Sequence, residues 1–351
     1  MVEDTLETIG CDLGDKLTEI FVLGPGGEGR RPKPIKTTRA GMQDFFAERP
    51  RAHVVIEVGQ HSRWVKKQLT ELGHKVTVAN PNCLKVISQS NSKRDRRDAE
   101  MLARLGRADI KLLAPVQHRC EQAQADLAVL KARDTAVRCR TKFVNLARLQ
   151  VKSFGERLPV CDAAAFHKKT WASVPELLKP ALKPIFKLLA ALDREIKTYD
   201  KTIARVAKRY PDVEVLSQPD GVGLLTALAF LLTIDDKKRF AKSRTVGAYI
   251  GLRPKLDQSG DIDKQLHITK AGDHFLRRLL VGSANYILGP FAKDSDLRRW
   301  GSKLSERGGK NAKRRATVAV ARKLAVLLHR LWVTGEVYEP IGYGSKEKNA
   351  G

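Results

Sequence analysis

Thr8-Ile9-Gly10-Cys11-Asp12-Leu13, a tight Gly14-Asp15 turn and then Thr18 to Leu23 decide the fold of the amino-terminal half. Two short runs of β-branched and apolar residues joined by a turn dipeptide read as neighbouring strands. Pro25 to Gly29 follows as a Gly-rich loop, a third strand lies near Ile35, and Arg39 to Glu48 suits a short helix. His53-Val54-Val55-Ile56-Glu57-Val58 is a compact strand, Ser62 to Leu72 is helical, and Lys75 to Ala79 returns to strand. Arg94 to Leu105 has helix-forming composition with Ala99, Leu102, Ala103 and Leu105 on its apolar side. Strands first, then helices alternating with strands, define an α/β domain.

Outward from this domain the β signals stop. Leu182, Ile185, Leu189, Leu192, Ile196, Tyr199, Ile203 and Val206 follow an unbroken 3-4 spacing, the seam of a coiled coil. Ala123, Leu130, Val137, Val144 and Val151 sit seven apart, with Asp134, Thr141 and Arg148 among the intervening seam positions. The expectation is an antiparallel helical hairpin whose irregular connection runs from Pro159 to Pro180. A second, mainly helical domain runs from about Leu216 to Val333, and a polar tail follows Gly335. The division expected is 1–115 for the α/β domain, 116–212 for the coiled coil, 213–335 for the helical domain and 336–351 for a loose tail.

The chain has 351 residues, of which 42% are hydrophobic and 30% charged, with no apolar run near the roughly 20 residues of a membrane span. This excludes integral membrane and wholly disordered classes. Met1 to Gly10 lacks the basic start and apolar stretch of a secretory signal. The five cysteines, Cys11, Cys83, Cys120, Cys139 and Cys161, show no CxxC spacing and read as reduced thiols of a cytoplasmic, nucleoid-associated protein. The dominant number is charge: 65 Lys+Arg against 39 Asp+Glu leaves +26, which attracts polyanions and favours counterion release from phosphates. Nucleic acid is therefore the leading partner class.

Four carboxylates stand out. Asp12 closes the first strand just before the Gly14 turn, and Glu57 sits where the Val54-Val55-Ile56 run gives way to Gly59. Asp95 and Asp98 are three apart at the start of a helix and share one face, about 5 to 6 Å apart at Cβ. Phosphoryl transfer needs such convergence, because two divalent ions about 3.5 to 4 Å apart require hard oxygen ligands. Each acid alone also fits a structural role: Asp12 as a turn cap, Asp95 at a helix dipole, Asp98 paired to Arg94 or Arg97. Glu57 is the least comfortable with that explanation, since an acid inside a Val/Ile run is costly to bury without a cation.

The spacing of Ile9-Gly10-Cys11-Asp12, Ile56-Glu57 and Ser92-Lys93-Arg94-Asp95-Arg96-Arg97-Asp98-Ala99 resembles that of the DEDD-type insertion-sequence transposases. Their amino-terminal domain has the RNase-H-like (RuvC-like) fold of the Holliday-junction resolvase. The implied fold is α/β plus α: an RNase-H-like mixed sheet with helices, a central coiled-coil hairpin, and a carboxy-terminal, mainly helical domain with a helix-hairpin-helix-like motif. The resemblance implies that Asp12, Glu57, Asp95 and Asp98 bind two Mg²⁺ ions, with Mn²⁺ as a substitute.

Further along, Gly221-Val222-Gly223 opens an apolar helix and offers backbone N–H groups to a phosphate. Gly251-Leu252-Arg253-Pro254, the pair Ser259-Gly260, and Ile268-Thr269-Lys270-Ala271-Gly272-Asp273 opening a basic helix follow in order. This order is similar to the carboxy-terminal domain of the same family and implies a serine nucleophile at Ser259. Asp273 stands where the family usually has Asn, and Pro219 sits one residue early. A phosphoserine link would conserve phosphodiester energy during strand exchange without ATP. The resemblance also implies donor and target DNA chosen through a noncoding bridge RNA, and a homodimer assembling into a tetramer in which Ser259 of one protomer completes the acid site of another.

Candidate nucleic-acid contacts are Arg94, Arg96 and Arg97 beside the acids, Gly221 and Gly223, and Lys270, Arg277 and Arg278. Arg298, Arg299, Lys310, Lys313, Arg314 and Arg315 complete the set, in a basic stretch that also contains Trp300. The alternative reading of the chain is a metal-dependent, structure-specific DNA endonuclease of the resolvase type, in which water attacks and Ser259 is a turn residue.

Overall fold

The structure, a computed structural model, describes residues 6–80, 95–259 and 262–342; for residues 95, 96, 256–259 and 262–265 it describes the backbone. Arg94 lies outside the described residues, as do the side chains of Asp95, Arg96 and Ser259. The chain forms two compact units, Met1–His118 and Arg119–Gly351.

The first unit is built on a mixed sheet of six strands: β1 (Thr8–Leu13), β2 (Leu17–Leu23), β3 (Gly29–Arg30), β4 (Ile35–Lys36), β5 (His53–Glu57) and β6 (Lys75–Ala79). Their order is β3-β2-β1-β5-β6, with β4 also on β2. The β1–β2 hairpin is antiparallel, whereas β1 with β5 and β5 with β6 run parallel. A parallel neighbour needs a crossover, and α1 (Arg39–Phe46) and α2 (Ser62–Glu71) supply the two crossovers. Successive residues of a strand face opposite sides. Ile9, Cys11, Val54 and Ile56 accordingly pack with Met42, Phe46, Val65 and Leu69 of α1 and α2. The other face meets α3 (Asp95–Ala108) through Val55, Ala99, Leu102 and Ala103. Burial on both sides explains the unalternating Val54-Val55-Ile56 run.

His53 and His74 are hydrogen-bonded core residues. His74 Nδ1 accepts from Ala52 N at 3.2 Å and its Nε2 lies 3.0 Å from the Phe46 carbonyl, while His53 Nε2 sits 2.9 Å from Thr77 Oγ1.

In the second unit the long helices α4 (Glu121–Ser153) and α6 (Lys179–Ala207) flank a short helix, α5 (Phe166–Lys169). Ion pairs Arg133–Asp200 at 2.9 Å and Arg140–Asp193 at 2.7 Å, with Asp126 bound by Arg209, descend one helix as they ascend the other, so the pair is antiparallel. The seam differs from the 3-4 reading at two places: Phe186 and Asp193 are buried, where Ile185 and Leu192 were expected to lead. Buried Asp193 is tolerated because Arg140 donates to one of its oxygens and His167 Nδ1 sits 2.9 Å from the other. Arg148, at a polar seam position, donates to the Leu158 and Pro159 carbonyls and stacks over Phe166, closing the irregular connection.

The rest of the unit gathers around α8 (Leu224–Ile234), reached through the short helix α7 (Asp212–Leu216). Thr226 to Ile234 is buried without interruption, which makes α8 the centre of the core rather than an amphipathic surface helix. Around it pack α9 (Val246–Tyr249), α10 (His274–Leu288), α11 (Asp296–Glu306) and α12 (Ala312–Thr334). Among the described residues no helix is long and apolar enough to cross a membrane. One element departs from the mainly helical expectation. A two-stranded antiparallel ribbon, β7 (Pro254–Ser259) with β8 (Ile262–Ile268), interrupts the helices.

Candidate active site

Parallel pairing of β1 with β5 ends at Cys11 opposite Ile56, so Asp12 and Glu57 are the next residues outward on adjacent strands. By the pleat they share a sheet face with Gly10 and Val55, the face covered by α3. Gly10 makes that cover possible. A Cβ there would stand 1.9 Å from the Ala99 carbonyl oxygen and 2.7 Å from Ala103 N, so helix backbone lies directly on strand backbone. Further along, Gly106 brings the helix so near that its Cβ would stand 2.5 Å from Val55 Cγ2 and 3.6 Å from Thr8 Cγ2. The helix therefore runs antiparallel to β1, with Gly106 over Thr8 and Ala99 over Gly10.

Four residues back from Ala99 is about 6 Å at 1.5 Å per residue, and two residues on from Gly10 is about 6.6 Å. The opening turn of α3, with Asp95 and Asp98, thus reaches the level of Asp12 and Glu57. Arg107 fastens the other end of α3: its Nη2 donates to the Leu6 and Leu23 carbonyls at 3.1 and 2.8 Å.

Asp12, Glu57 and Asp98 are half-buried, and Arg97 is exposed. None of these four is without a partner. Among the described residues no three His, Cys, Asp or Glu side chains are already gathered as an ion's ligands. The convergence is one of backbone positions, and the donor set consists of carboxylates, the hard oxygen ligands that suit Mg²⁺ rather than a thiolate-seeking metal. Neighbouring Cys11 contributes no thiolate: burial, reinforced by the Asp12 charge, pushes its thiol up to about 12.

Ser259 ends β7 directly opposite Ile262. Two residues, Gly260 and Asp261, separate the paired ends, and a Gly-Asp dipeptide at such a place is a hairpin signal in the sequence. Lys270 is exposed, with φ 56° in the left-handed region.

The Gly221-Val222-Gly223 turn borders a concavity of about 610 Å³ lined also by Thr226, Arg278, Gly282 and Tyr286. Gly221 has φ 78°, and a Cβ on it would press on the Ser283 carbonyl oxygen at 2.9 Å. Gly223 is the N-cap of α8 and offers no side-chain cap.

The basic residues separate into three groups. Arg277 and Arg298 depart from the expectation of phosphate contacts. Arg277 Nη1 donates to the Ile250 and Ala271 carbonyls, both at 2.8 Å, and Arg298 Nη1 donates to the Ile287, Gly289 and Ala292 carbonyls. Both guanidiniums hold backbone. Arg278 pairs with Asp134, and Arg299 with Asp294, whose carboxyl the Arg299 hydrogen bonds hold below the usual range. Lys310, Lys313, Arg314 and Arg315, by contrast, are exposed and make no ion pair with another described residue. Three of these four sit in the first turn of α12, which has no acidic residue there and no side-chain cap. Cations at a helix N-terminus oppose the dipole, so this end carries uncompensated positive charge.

A mixed sheet whose central parallel strands carry carboxylates at or next to their ends, backed by a helix that opens on two more, is consistent with an RNase-H-like DEDD domain. Residues 9–154 match the DEDD transposases of the IS110 type, and residues 213–294 match the Transposase IS116/IS110/IS902 family. The chain is 30% identical over 347 residues to the transposase for insertion sequence element IS1111A of Coxiella burnetii, covering 95% of this chain and 91% of that one. It is 27% identical over 346 residues to a probable family 20 transposase of Pseudomonas aeruginosa, covering 95% and 99%. With the transposase for insertion sequence element IS1328 of Yersinia enterocolitica it shares 28% over 348 residues, covering 94% and 98%. The chain belongs to the IS110-type DEDD transposases, enzymes whose substrate is DNA.

Proposed function

We propose that this transposase cuts and rejoins DNA through a two-part site: Mg²⁺ held by Asp12, Glu57, Asp95 and Asp98, and Ser259 as the nucleophile. What supports the reading is the meeting of Asp12 and Glu57 on adjacent strands with the opening turn of α3, closed on them by the Gly10 contact. Divalent ions there would neutralise charge developing on the phosphoryl oxygens. The chain's own residues do the remainder. Asp12 and Glu57 fix the sheet side of the site, and α3 brings Asp95 and Asp98 from the opposite side. The Ser259 hydroxyl forms a new P–O bond as one P–O bond of the strand breaks, leaving a sugar hydroxyl. One ester replaces another, so the energy needed to rejoin the strand is retained.

The uncompensated cations at the start of α12, Lys313, Arg314 and Arg315 together with Lys310, are proposed to track nucleic-acid phosphates, with Gly221 and Gly223 presenting N–H groups to another phosphate. A noncoding bridge RNA that selects donor and target, and a dimer that assembles into a tetramer, are proposed from the family resemblance and the charge of +26.

Ser259→Ala tests this reading in a donor–target recombination assay. Strand exchange should disappear while DNA binding persists. A Ser259→Ala protein that still exchanges strands, or that cuts with water at the parental rate, would favour a resolvase-type endonuclease instead.

A further inference from the structure

We propose that Arg277 is the positioning residue for the ribbon that carries Ser259, acting as a clamp that joins both feet of that ribbon to the core helix α10; the inference rests on the serine reading above. The two feet are Ile250-Gly251 before β7 and Lys270-Ala271-Gly272 after β8. One nitrogen of Arg277 donates to a carbonyl in each foot, Ile250 and Ala271, at 2.8 Å.

The feet lie backbone on backbone. A Cβ on Gly251 would stand 2.1 Å from the Ala271 carbonyl oxygen, and one on Gly272 would stand 2.1 Å from that of Tyr249. Lys270 N donates to Gly251 O at 3.1 Å, and Thr269 N to Arg253 O at 2.9 Å. Lys270 holds a left-handed backbone at φ 56°, which a residue with a Cβ keeps only where its surroundings dictate it.

Arg277 is 8% exposed, and its neighbours Phe275, Leu276 and Leu280 belong to the core. Burying a guanidinium is costly, and here burial pulls its pKa down, with the Asp273 charge opposing. A hydrophobic residue would pack there without that cost but would leave the buried Ile250 carbonyl and the partly buried Ala271 carbonyl without this donor. The position of α10 is itself fixed. Asp273 caps it by accepting from Leu276 N at 3.0 Å, and Lys131 of α4 binds the same carboxylate at 2.8 Å. Arg277 therefore transmits the position of the core to a ribbon whose far end bears the nucleophile.

The test uses the full chain with a DNA substrate that traps the protein–DNA adduct, comparing Arg277→Met and Arg277→Lys with the parent. Hydrogen exchange reports on the clamp without reference to chemistry. In Arg277→Met the Thr269 and Lys270 amides should exchange about 10-fold faster or more while the Leu324 to Leu328 amides stay unchanged. Adduct formation at saturating DNA should slow by about 100-fold, as expected when a reacting group is misplaced by about 1 Å, with the Kd for DNA unchanged. Arg277→Lys, which keeps one charged donor, should fall between. If Arg277→Met loses protection throughout α12, Arg277→Lys alone decides by the same two readings. Unchanged exchange at Thr269 and Lys270 would overturn the clamp. Faster exchange with an unchanged adduct rate would overturn its positioning role. An adduct absent already from the parent protein would overturn the serine reading itself, leaving the exchange result to judge the clamp.

Discussion

Asp12, next to last in its strand, and Glu57, last in its own, lie on neighbouring strands in the middle of a sheet covered on both faces, whereas Ser259 ends one strand of a two-stranded ribbon fastened at its opposite end. Both regions are secured where two stretches of backbone touch: Gly10 against Ala99 in the first, Gly251 and Gly272 against Ala271 and Tyr249 in the second. The difference lies in how far the working residue stands from that contact. Asp12 is two residues beyond Gly10, but Ser259 is eight beyond Gly251. Ligands for a pair of ions need fixed mutual positions, which a central parallel sheet supplies. The nucleophile proposed at Ser259, joined to a broken strand, would be better served by a ribbon with a single anchored end.

The comparison can be broken most sharply at the sheet. Asp12→Asn removes a charge at the centre of the proposed metal site and should lower strand cleavage by about 1000-fold or more, while gel-shift affinity for DNA changes little. Cleavage within tenfold of the parent would show that the sheet end is not the reaction centre.

Gly10→Ala examines the backbone contact itself. With its Cβ 1.9 Å from the Ala99 carbonyl, α3 must move, and the first unit should lose about 3 kcal/mol in denaturant unfolding. Gly59→Ala is the control: a Cβ there meets nothing within 4 Å, and it should change stability by less than about 0.5 kcal/mol.

The smallest effect concerns the support of α10. Burial raises the Asp273 pKa, but the Lys131 and Leu276 hydrogen bonds and the nearby Lys131 and Arg119 charges lower it more, so the net shift is downward. A depressed carboxyl pKa stabilises the fold above the unfolded value near 3.9, and this contribution is lost as pH falls through the lower folded value. Asp273→Asn should therefore cost about 1 kcal/mol at neutral pH, and the difference from the parent should shrink as the pH is lowered through the depressed folded value. A deficit that stays constant through that value would show that the charge on Asp273 is not what supports the helix.

Much of the first unit was legible because its strands announce themselves twice. The β1–β2 run has a Gly14 turn, and Val54-Val55-Ile56 has the unalternating apolar pattern of a strand buried on both faces. The four acids could be named from that frame, although the approach of α3 to the strands depends on Gly10, Ala99, Ala103 and Gly106, small residues whose value appears only when two backbones approach. The ribbon β7–β8 was less legible. Leu256, Gln258, Lys264 and Gln265 present no strong apolar alternation, and its anchors are glycines and an arginine lying outside the strands. Arg277 and Arg298 look like phosphate ligands in a basic sequence. Their use on carbonyls follows from tertiary burial, which charge counting does not register. In the long helices, 3-4 spacing placed the seam, but Asp193 entered it because Arg140 and His167 came from elsewhere to meet it.

The account turns on whether the reaction passes through a covalent bond to Ser259. Trapping the protein on a nicked DNA substrate with Mg²⁺ present, digesting both polymers and locating the remaining nucleotide by mass spectrometry measures this directly. The account predicts a phosphodiester-derived adduct on Ser259, absent from Asp12→Asn. Cleaved DNA bearing no peptide, or a nucleotide attached to a different residue, would contradict it.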